Sequence, residues 1–245
     1  MMDANVSIII PALNEAAALP ATLRAIGDLN PAPHEIILVD GGSSDDTILM
    51  ARPAGLTIIE SPKGRAKQMN AGAAAATGDM VCFLHADTLL PPDAVGVMRQ
   101  TLADRRTAAA GFISVMTGDK PRLFTTAHNF IKTWYAPFLF RPLSALHGCR
   151  LLFGDQAIFC RADDFRAIGG FDPDQTIMEE ADFVLRMTRA GRGRIRQIWR
   201  TVHSSDRRVA EWGGLKANLV YIYIGALWGF GAAPKRLSRL YEDVR

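Results

Sequence analysis

Val6-Ser-Ile-Ile-Ile10-Pro11-Ala-Leu-Asn14-Glu15 and, beyond a helical stretch, Glu35-Ile-Ile-Leu-Val39-Asp40-Gly41-Gly-Ser-Ser44-Asp-Asp-Thr47 decide how this chain folds. Each holds a run of three or four consecutive apolar residues rather than an alternating pattern, and each run ends in turn-forming and polar residues. Unbroken runs of this length suit strands covered on both faces. Leu56–Ile59 and Met80–Leu84 repeat the pattern, and Ala16–Ile26, Asp45–Ala51 and Arg65–Ala76 lie between as helix-forming segments. Strand–helix alternation of this kind predicts a mostly parallel sheet flanked by helices, an α/β fold. Pro92–Leu102 reads as a further helix, with proline in its first turn. Ala108–Met116 and Ala157–Cys160 read as strands.

Composition bounds the rest. With 245 residues, 49% hydrophobic and 22% charged, the chain has ordinary globular proportions and excludes a disordered or collagen-like protein. Val6–Ile10 is too short for a signal-peptide core and Met1–Asn5 carries no basic segment, so no export signal is expected. Cys82, Cys149 and Cys160 are odd in number and lack CxxC spacing, which predicts neither a disulfide framework nor a zinc ribbon and suits a cytoplasmic protein. Net charge is +3, yet eight arginines fall between Phe183 and Ala210 against one acid, Asp206. No recognition motif accompanies them, so they read as a solvated face and no nucleic-acid partner is expected.

In an open α/β sheet, ligands gather beyond the C-terminal ends of the strands. Three clusters belong there: Pro11–Glu15, Asp40–Thr47 and His85-Ala-Asp87-Thr88. Singly, Asn14, Ser44 and Asp45 fit helix caps and Gly41-Gly42 a tight turn. Jointly, three acid-bearing strand ends predict a ligand site. GxGxxG after the first strand and GxxxxGK[ST] are both absent, which argues against a dehydrogenase-type dinucleotide fold and a P-loop phosphotransferase.

These residues resemble the family 2 glycosyltransferases, which have the GT-A fold. The resemblance runs in order through Ser7–Glu15, Val39–Thr47, Gly64–Gly72, Leu84–Asp87, Gly154-Asp155-Gln156, Gly169-Gly-Phe-Asp172 and Glu179-Glu180-Ala-Asp182, about residues 6–190. Within the family the chain looks most like a small bacterial subgroup with a Gly-Asp-Gln motif.

The resemblance implies transfer of a sugar from a nucleotide-sugar donor to a hydroxyl acceptor, with inversion and with Mg²⁺ or Mn²⁺. It assigns the donor pocket to Pro11, Ala12, Asn14, Glu15, Asp40, Gly41, Arg65, Gln68, Ala86 and Asp87, with Asp40 at the base or ribose. Asp87 would hold the metal. The usual Asp-x-Asp is His85-Ala-Asp87 here, which leaves His85 as a second ligand or a loop histidine. Hard divalent cations on diphosphates need only one or two carboxylates. The base falls in Glu179, Glu180 and Asp182, with Glu180 where relatives carry Asp. Asp155 and Gln156 would line the acceptor or sugar side, and Arg207-Arg208 would reach the diphosphate.

Two domains are expected: the GT-A-like domain at 1–205 and an apolar helical C-terminal appendage at 206–245. Residues 217–234 carry no charge and Gly225-Ala-Leu-Trp-Gly229 matches GxxxG. With Trp212, Tyr221, Tyr223 and Trp228 as interfacial aromatics, and Trp134–Phe140 as a second apolar surface, the appendage is expected to lie on the inner face of the cell membrane and bring the site to a lipid-linked acceptor. Packing of both segments on the catalytic domain is the competing expectation. A sugar-nucleotide nucleotidyltransferase and a non-catalytic membrane-bound relative are the alternative functions.

Overall fold

The computed structural model describes residues 3–118 and 122–243. Its first half follows the alternation: β1 (Val6–Ala12), α1 (Leu19–Gly27), β2 (Glu35–Asp40), α2 (Thr47–Ala51), β3 (Thr57–Glu60), α3 (Arg65–Ala75) and β4 (Met80–Phe83). Then come β5 (Thr88–Leu89), α4 (Ala94–Ala103), β6 (Thr107–Thr117), α5 (Leu123–Phe140), α6 (Pro142–Leu146), β7 (Ile158–Arg161), α7 (Ala162–Ala167), α8 (Glu179–Arg189) and β8 (Arg194–Ser205). Three helices close the chain: α9 (Arg207–Trp212), α10 (Gly214–Gly229) and α11 (Pro234–Asp243).

One sheet holds the strands in the order β3-β2-β1-β4-β7-β6-β8-β5. β1 pairs in parallel with β2 and β4, β2 with β3, and β6 with β8, whereas β7 runs antiparallel between β4 and β6. The sheet is therefore mostly parallel and flanked by helices, as read from the sequence. The chain leaves β1 toward β2 on one side and returns to β4 on the other, so the crevice at the C-terminal ends of β1 and β4 is the topological switch point. One face of the sheet packs Ile9, Val39, Phe83 and Cys160 against α3 and α8. The other packs Ile8, Ile10, Leu38 and Phe159 beneath α1 and α4. Residues 6–10, 37–39 and 80–84 are buried without alternation because helices cover both faces.

One difference from expectation has a clear cause. α1 begins at Leu19 rather than at Ala16, because Glu15–Ala18 form a turn closed by the Glu15 carbonyl, which accepts from the amides of Ala18 and Leu19. The arginine run is spread over the end of α8, the loop at Arg192, β8 and the start of α9, and it meets the expectation of a solvated face. On β8, Arg194, Arg196 and Arg200 are exposed while Ile195, Gln197 and Val202 are buried, so period-two alternation sends the charges to solvent.

The helices after Ser205 pack against the sheet-bearing part of the chain, the competing expectation for the appendage. Ile224, Trp228 and Leu237 belong to the same core as Ile9 and Phe183. Asn218 donates to Thr125 Oγ1 and to the Gly214 carbonyl and contacts His128, which ties α10 to α5. Arg141 donates to the Gly229 carbonyl and stacks on Trp228. A Cβ on Gly229 would sit 2.3 Å from Phe140 Cδ1, so this glycine of the GxxxG pattern serves close packing within the chain. Among the described residues no helix is long and apolar enough to cross a membrane.

Candidate active site

The strand ends meet as the alternation implied, and hydrogen bonds lock their loops together. Asn14 adopts a left-handed φ of 56°, and its Oδ1 accepts from the Ser44 amide at 2.8 Å while its own amide donates to Ser43 Oγ. Asn14 therefore ties two loops together instead of capping α1. Asp45 does likewise, accepting from the Ala16 and Thr47 amides. Asp40, nearly buried, accepts from the amides of Gly42 and Ser43. Its carboxylate thus shapes the Gly41-Gly42 turn.

Helix α3 ties this half of the site together. Gln68 donates both amide hydrogens, to the carbonyls of Ala12 and Val39 at 2.8 and 2.9 Å, so it clamps β1 to β2 rather than offering donors to a ligand. A Cβ on Gly41 would lie 3.0 Å from that amide. Two residues on, Asn70 exchanges hydrogen bonds with the backbone of Phe171. Gly169 and Gly170 turn there with φ of 77° and 69°, and Phe171 joins Phe83, Phe165 and Phe183 in a ring cluster beneath the site, with centroids 4.7–5.5 Å apart. At its N-terminal end α3 presents Arg65.

Arg65 reaches the acids at the start of α8. Its Nη1 lies 3.2 Å from Glu179 Oε1 and 3.8 Å from Glu180 Oε1. His85, at the end of β4, faces Glu180 with 3.5 Å between Nε2 and Oε1. That spacing is too long for a well-formed hydrogen bond, and neither buried atom has a hydrogen-bond partner among the described residues. Burial opposes charge on both glutamates. For Glu180 the facing His85 and the Arg65 guanidinium outweigh burial and hold the carboxyl below its ordinary 4.5. For Glu179 burial and the adjacent Glu180 outweigh the nearer Arg65 and push the carboxyl up. Neighbouring carboxyls with separated pKa values are a common mark of acid–base sites. Asp182, the third candidate, is tied to Arg186 at 2.7 Å, and Arg186 also donates to the carbonyls of Ile168 and Gly170.

Gly154-Asp155-Gln156 lies against this pair. A Cβ on Gly154 would fall 2.2 Å from the His85 ring and 2.5 Å from Glu180 Oε1. Gln156 is fully buried, accepting from the Phe153 amide and donating to Thr133 Oγ1, so it supports the turn from inside rather than facing an acceptor. Asp155 accepts from the Asn129 side chain. Asn14, Ala157 and Met178 are the non-glycine residues with left-handed φ among those described, and all three border the site. Backbone strain of this kind concentrates at functional sites.

Asp87 is half-exposed beside a cleft of about 350 Å³ that Ala17, Ala18, Thr117, His203 and Arg207 also line. Arg207 pairs with Glu15 at 3.3 Å across the mouth and feels the charge of Asp87. The side chain of Arg208 lies outside the described residues. Ala86 is buried, and its carbonyl accepts from Thr22. Pro11 and Ala12 end β1 directly below. A roomier cavity, lined by Asp79, Arg105 and Arg161, sits at the opposite edge of the sheet, away from these groups.

Among the described residues no three His, Cys, Asp or Glu side chains form a metal cage. The donor set at hand is the Asp87 carboxylate, with His85 turned toward Glu180. A single carboxylate fits a hard divalent cation whose remaining ligands are phosphate oxygens and water, and does not fit a structural site. Thr47 and Asn70 stand inside the runs Val39–Thr47 and Gly64–Gly72, yet sequence reasoning did not single them out. The Thr47 hydroxyl accepts from the Glu15 amide and Asn70 holds the Phe171 backbone, and only the tertiary contacts show these roles.

Comparison with known proteins gives the family and the fold. The glycosyl transferase family 2 profile matches residues 7–165. A PGL/p-HBAD biosynthesis glycosyltransferase of Mycobacterium bovis is 31% identical over 228 residues, 87% of this chain and 80% of the relative. Among solved structures, a mannosyltransferase from Pyrobaculum calidifontis in complex with GDP-Man and Mn²⁺ superimposes with a TM-score of 0.64 at 21% identity, covering 82% of this chain; the chain spans only 56% of its length. Glucosyl-3-phosphoglycerate synthase from Mycobacterium tuberculosis, in complex with Mn²⁺, UDP and phosphoglyceric acid, gives 0.63 at 18% identity, covering 94% of this chain and 79% of that one. The fold they share is the one described above, and the chain belongs to the family 2 glycosyltransferases.

Proposed function

We propose that this glycosyltransferase moves a sugar from a nucleoside-diphosphate donor to an acceptor hydroxyl in one inverting displacement, with Glu180 as general base. The acceptor oxygen attacks the anomeric carbon as its proton passes to Glu180, and the bond from that carbon to the diphosphate breaks. The observation that carries this reading is the Arg65–Glu180–His85 cluster beside Asp87 at the switch point. A hydroxyl is a poor nucleophile, and a carboxylate held ionised by a guanidinium and an imidazole is ready to accept its proton. Glu15 and Asp40 border the space for the nucleoside, and Arg65 and Arg207 face the diphosphate. A divalent cation held at Asp87 would offset the charge that develops on the leaving group.

Glu180→Gln tests the assignment. Transfer should fall at least about 100-fold, the low end of general-base contributions, while UDP or GDP binding persists. An active Glu180→Gln with an inactive Asp182→Asn would place the base at Asp182.

The acceptor side points to a membrane surface. Residues 122–154 contain Arg122, Lys132, Arg141 and Arg150 and no acid, and residues 212–240 contain Lys216, Lys235, Arg236 and Arg239 and no acid. Leu123, Phe124, Phe138 and Leu139 on α5, Leu143 on α6 and Leu219 on α10 are exposed. Apolar helix faces within cation-only stretches complement an anionic bilayer. The surface differs from that expected of the appendage alone: Trp228 is buried and Trp212 and Tyr221 are half-buried, while α5 and α6 contribute most of the exposed apolar side chains. This docking would bring a lipid-linked hydroxyl acceptor to Glu180 from the inner face of the membrane.

A further inference from the structure

We propose that Lys132 binds a phosphate ester carried by the acceptor, and so selects acceptors that bear one. This rests on the glycosyl-transfer reading above and names the chemistry on its acceptor side.

Lys132 lies on the inner flank of α5, next to Asn129 and Thr133, both buried. Its ammonium sits 3.8 Å from the centre of the Phe153 ring and 5.8 Å from that of Tyr221. Aromatic faces stabilise a cation only in part, and among the described residues Lys132 has neither an ion pair nor a hydrogen bond. Burial pushes the ammonium below its usual pKa, and Asp155 nearby offsets part of that. The Asp155 carboxylate is itself engaged by Asn129. The other cations of this region are occupied. Arg141 donates to the carbonyls of Phe140 and Gly229, and Arg150 donates to the Cys149 carbonyl while stacking on Trp134 and Phe138. His128 is held toward its neutral form by burial and by Lys132 itself, and contacts Asn218 and Tyr135.

The position matters as much as the charge. Phe153, beneath the ammonium, is followed by Gly154, which touches His85 and Glu180. The turn is held from α5: Pro137 lacks the amide that would bond the Thr133 carbonyl, and the Leu151 amide takes that place. Lys132 thus sits over Phe153, the residue next to the glycine that packs against the base, on the side where the exposed face of α5 begins. A half-buried ammonium without a carboxylate in contact gains from an arriving dianion, since charge-assisted bonds strengthen where water is largely excluded. A phosphate ester seated there would hold the acceptor with its hydroxyl side toward Glu180.

Calorimetric titration of the full chain with hexyl phosphate, hexyl β-glucoside and inorganic phosphate tests the proposal, with UDP plus Mn²⁺ titrated in parallel. Hexyl phosphate should bind more tightly than the other two. Lys132→Met should weaken it by about tenfold or more, the loss of one charge-assisted contact, whereas Lys132→Arg should largely preserve it. Asp155→Asn removes a neighbouring negative charge and should tighten it, a gain that a misfolded protein would not show. Unchanged affinity in Lys132→Met, or weaker binding in Asp155→Asn, overturns the proposal. Equal binding of inorganic phosphate and hexyl phosphate also overturns it, because the site would then serve a free anion. Failure of UDP to bind the wild-type chain would count against the donor reading and leave the phosphate site standing.

Discussion

Gly154→Ala is a small change with a large expected consequence. The added methyl would sit 2.2 Å from the His85 ring and 2.5 Å from Glu180 Oε1, where ordinary contact begins at about 3.5 Å. The His85 ring must therefore withdraw by about 1.3 Å, and the carboxylate by about 1 Å. The fold should tolerate the change at the roughly 1–3 kcal/mol typical of overpacking. Catalysis should not, because misplacing a reacting group by about 1 Å costs on the order of 100-fold, or about 2.7 kcal/mol in barrier. Initial rates of transfer from UDP- and GDP-sugars would be compared with nucleotide affinity and thermal melting. The expected pattern is a kcat lower by about two orders of magnitude with nucleotide binding unchanged. In a His85→Ala background the ring no longer obstructs the methyl and only the 2.5 Å approach to Glu180 Oε1 remains, so the same substitution should cost less than it does in the wild type, since neighbours in contact are not additive. A Gly154→Ala variant with wild-type kcat would refute the view that this glycine sets the spacing of His85 and Glu180.

Further outcomes follow from other parts of the site. Asp87→Asn should abolish Mn²⁺-dependent donor turnover with the circular dichroism unchanged; normal turnover and metal dependence would remove Asp87 from the site. Because Glu179 has its carboxyl pushed up, the neutral form is favoured in the fold, and its contribution to stability is present at low pH and lost as pH rises through the raised value. Glu179→Gln keeps the neutral form, so its melting temperature relative to wild type should climb as pH increases above the ordinary 4.5; a gap independent of pH would show that folding does not raise the Glu179 carboxyl. Liposome flotation checks the docking face: the full chain should float with anionic vesicles at low salt and release as salt rises, and absence of binding by folded protein would sink the idea.

Much of the architecture was legible because it rests on local pattern. The runs at Val6–Ile10, Glu35–Val39 and Met80–Leu84 could not be half-exposed strands, so helices had to cover both faces, and ligand-bearing loops had to share one edge. Family resemblance then singled out Arg65, His85, Asp87 and the acids of α8. What one sequence could not show is how each polar side chain divides between holding the site and facing a ligand. Asn14, Gln68, Gln156 and Asp182 stand in motifs, yet their polar groups are engaged by the Ser44 amide, the carbonyls of β1 and β2, the Phe153 turn and Arg186. The Asp182–Arg186 pair is a local i,i+4 pair on α8, but the partners of Asn14 and Gln68 lie 29 to 56 residues away in the chain, and no periodicity encodes those. Tertiary structure alone also separated the two glutamates, since their order depends on Arg65 and His85 arriving from other strand ends. It likewise seated Trp228 in the core and left the outer face of α5 uncovered. Sequence pattern determined which residues gather at the switch point, because strand burial and chain direction are local properties; the fold decided what each does there, because desolvation and pairing depend on neighbours that only three-dimensional packing supplies.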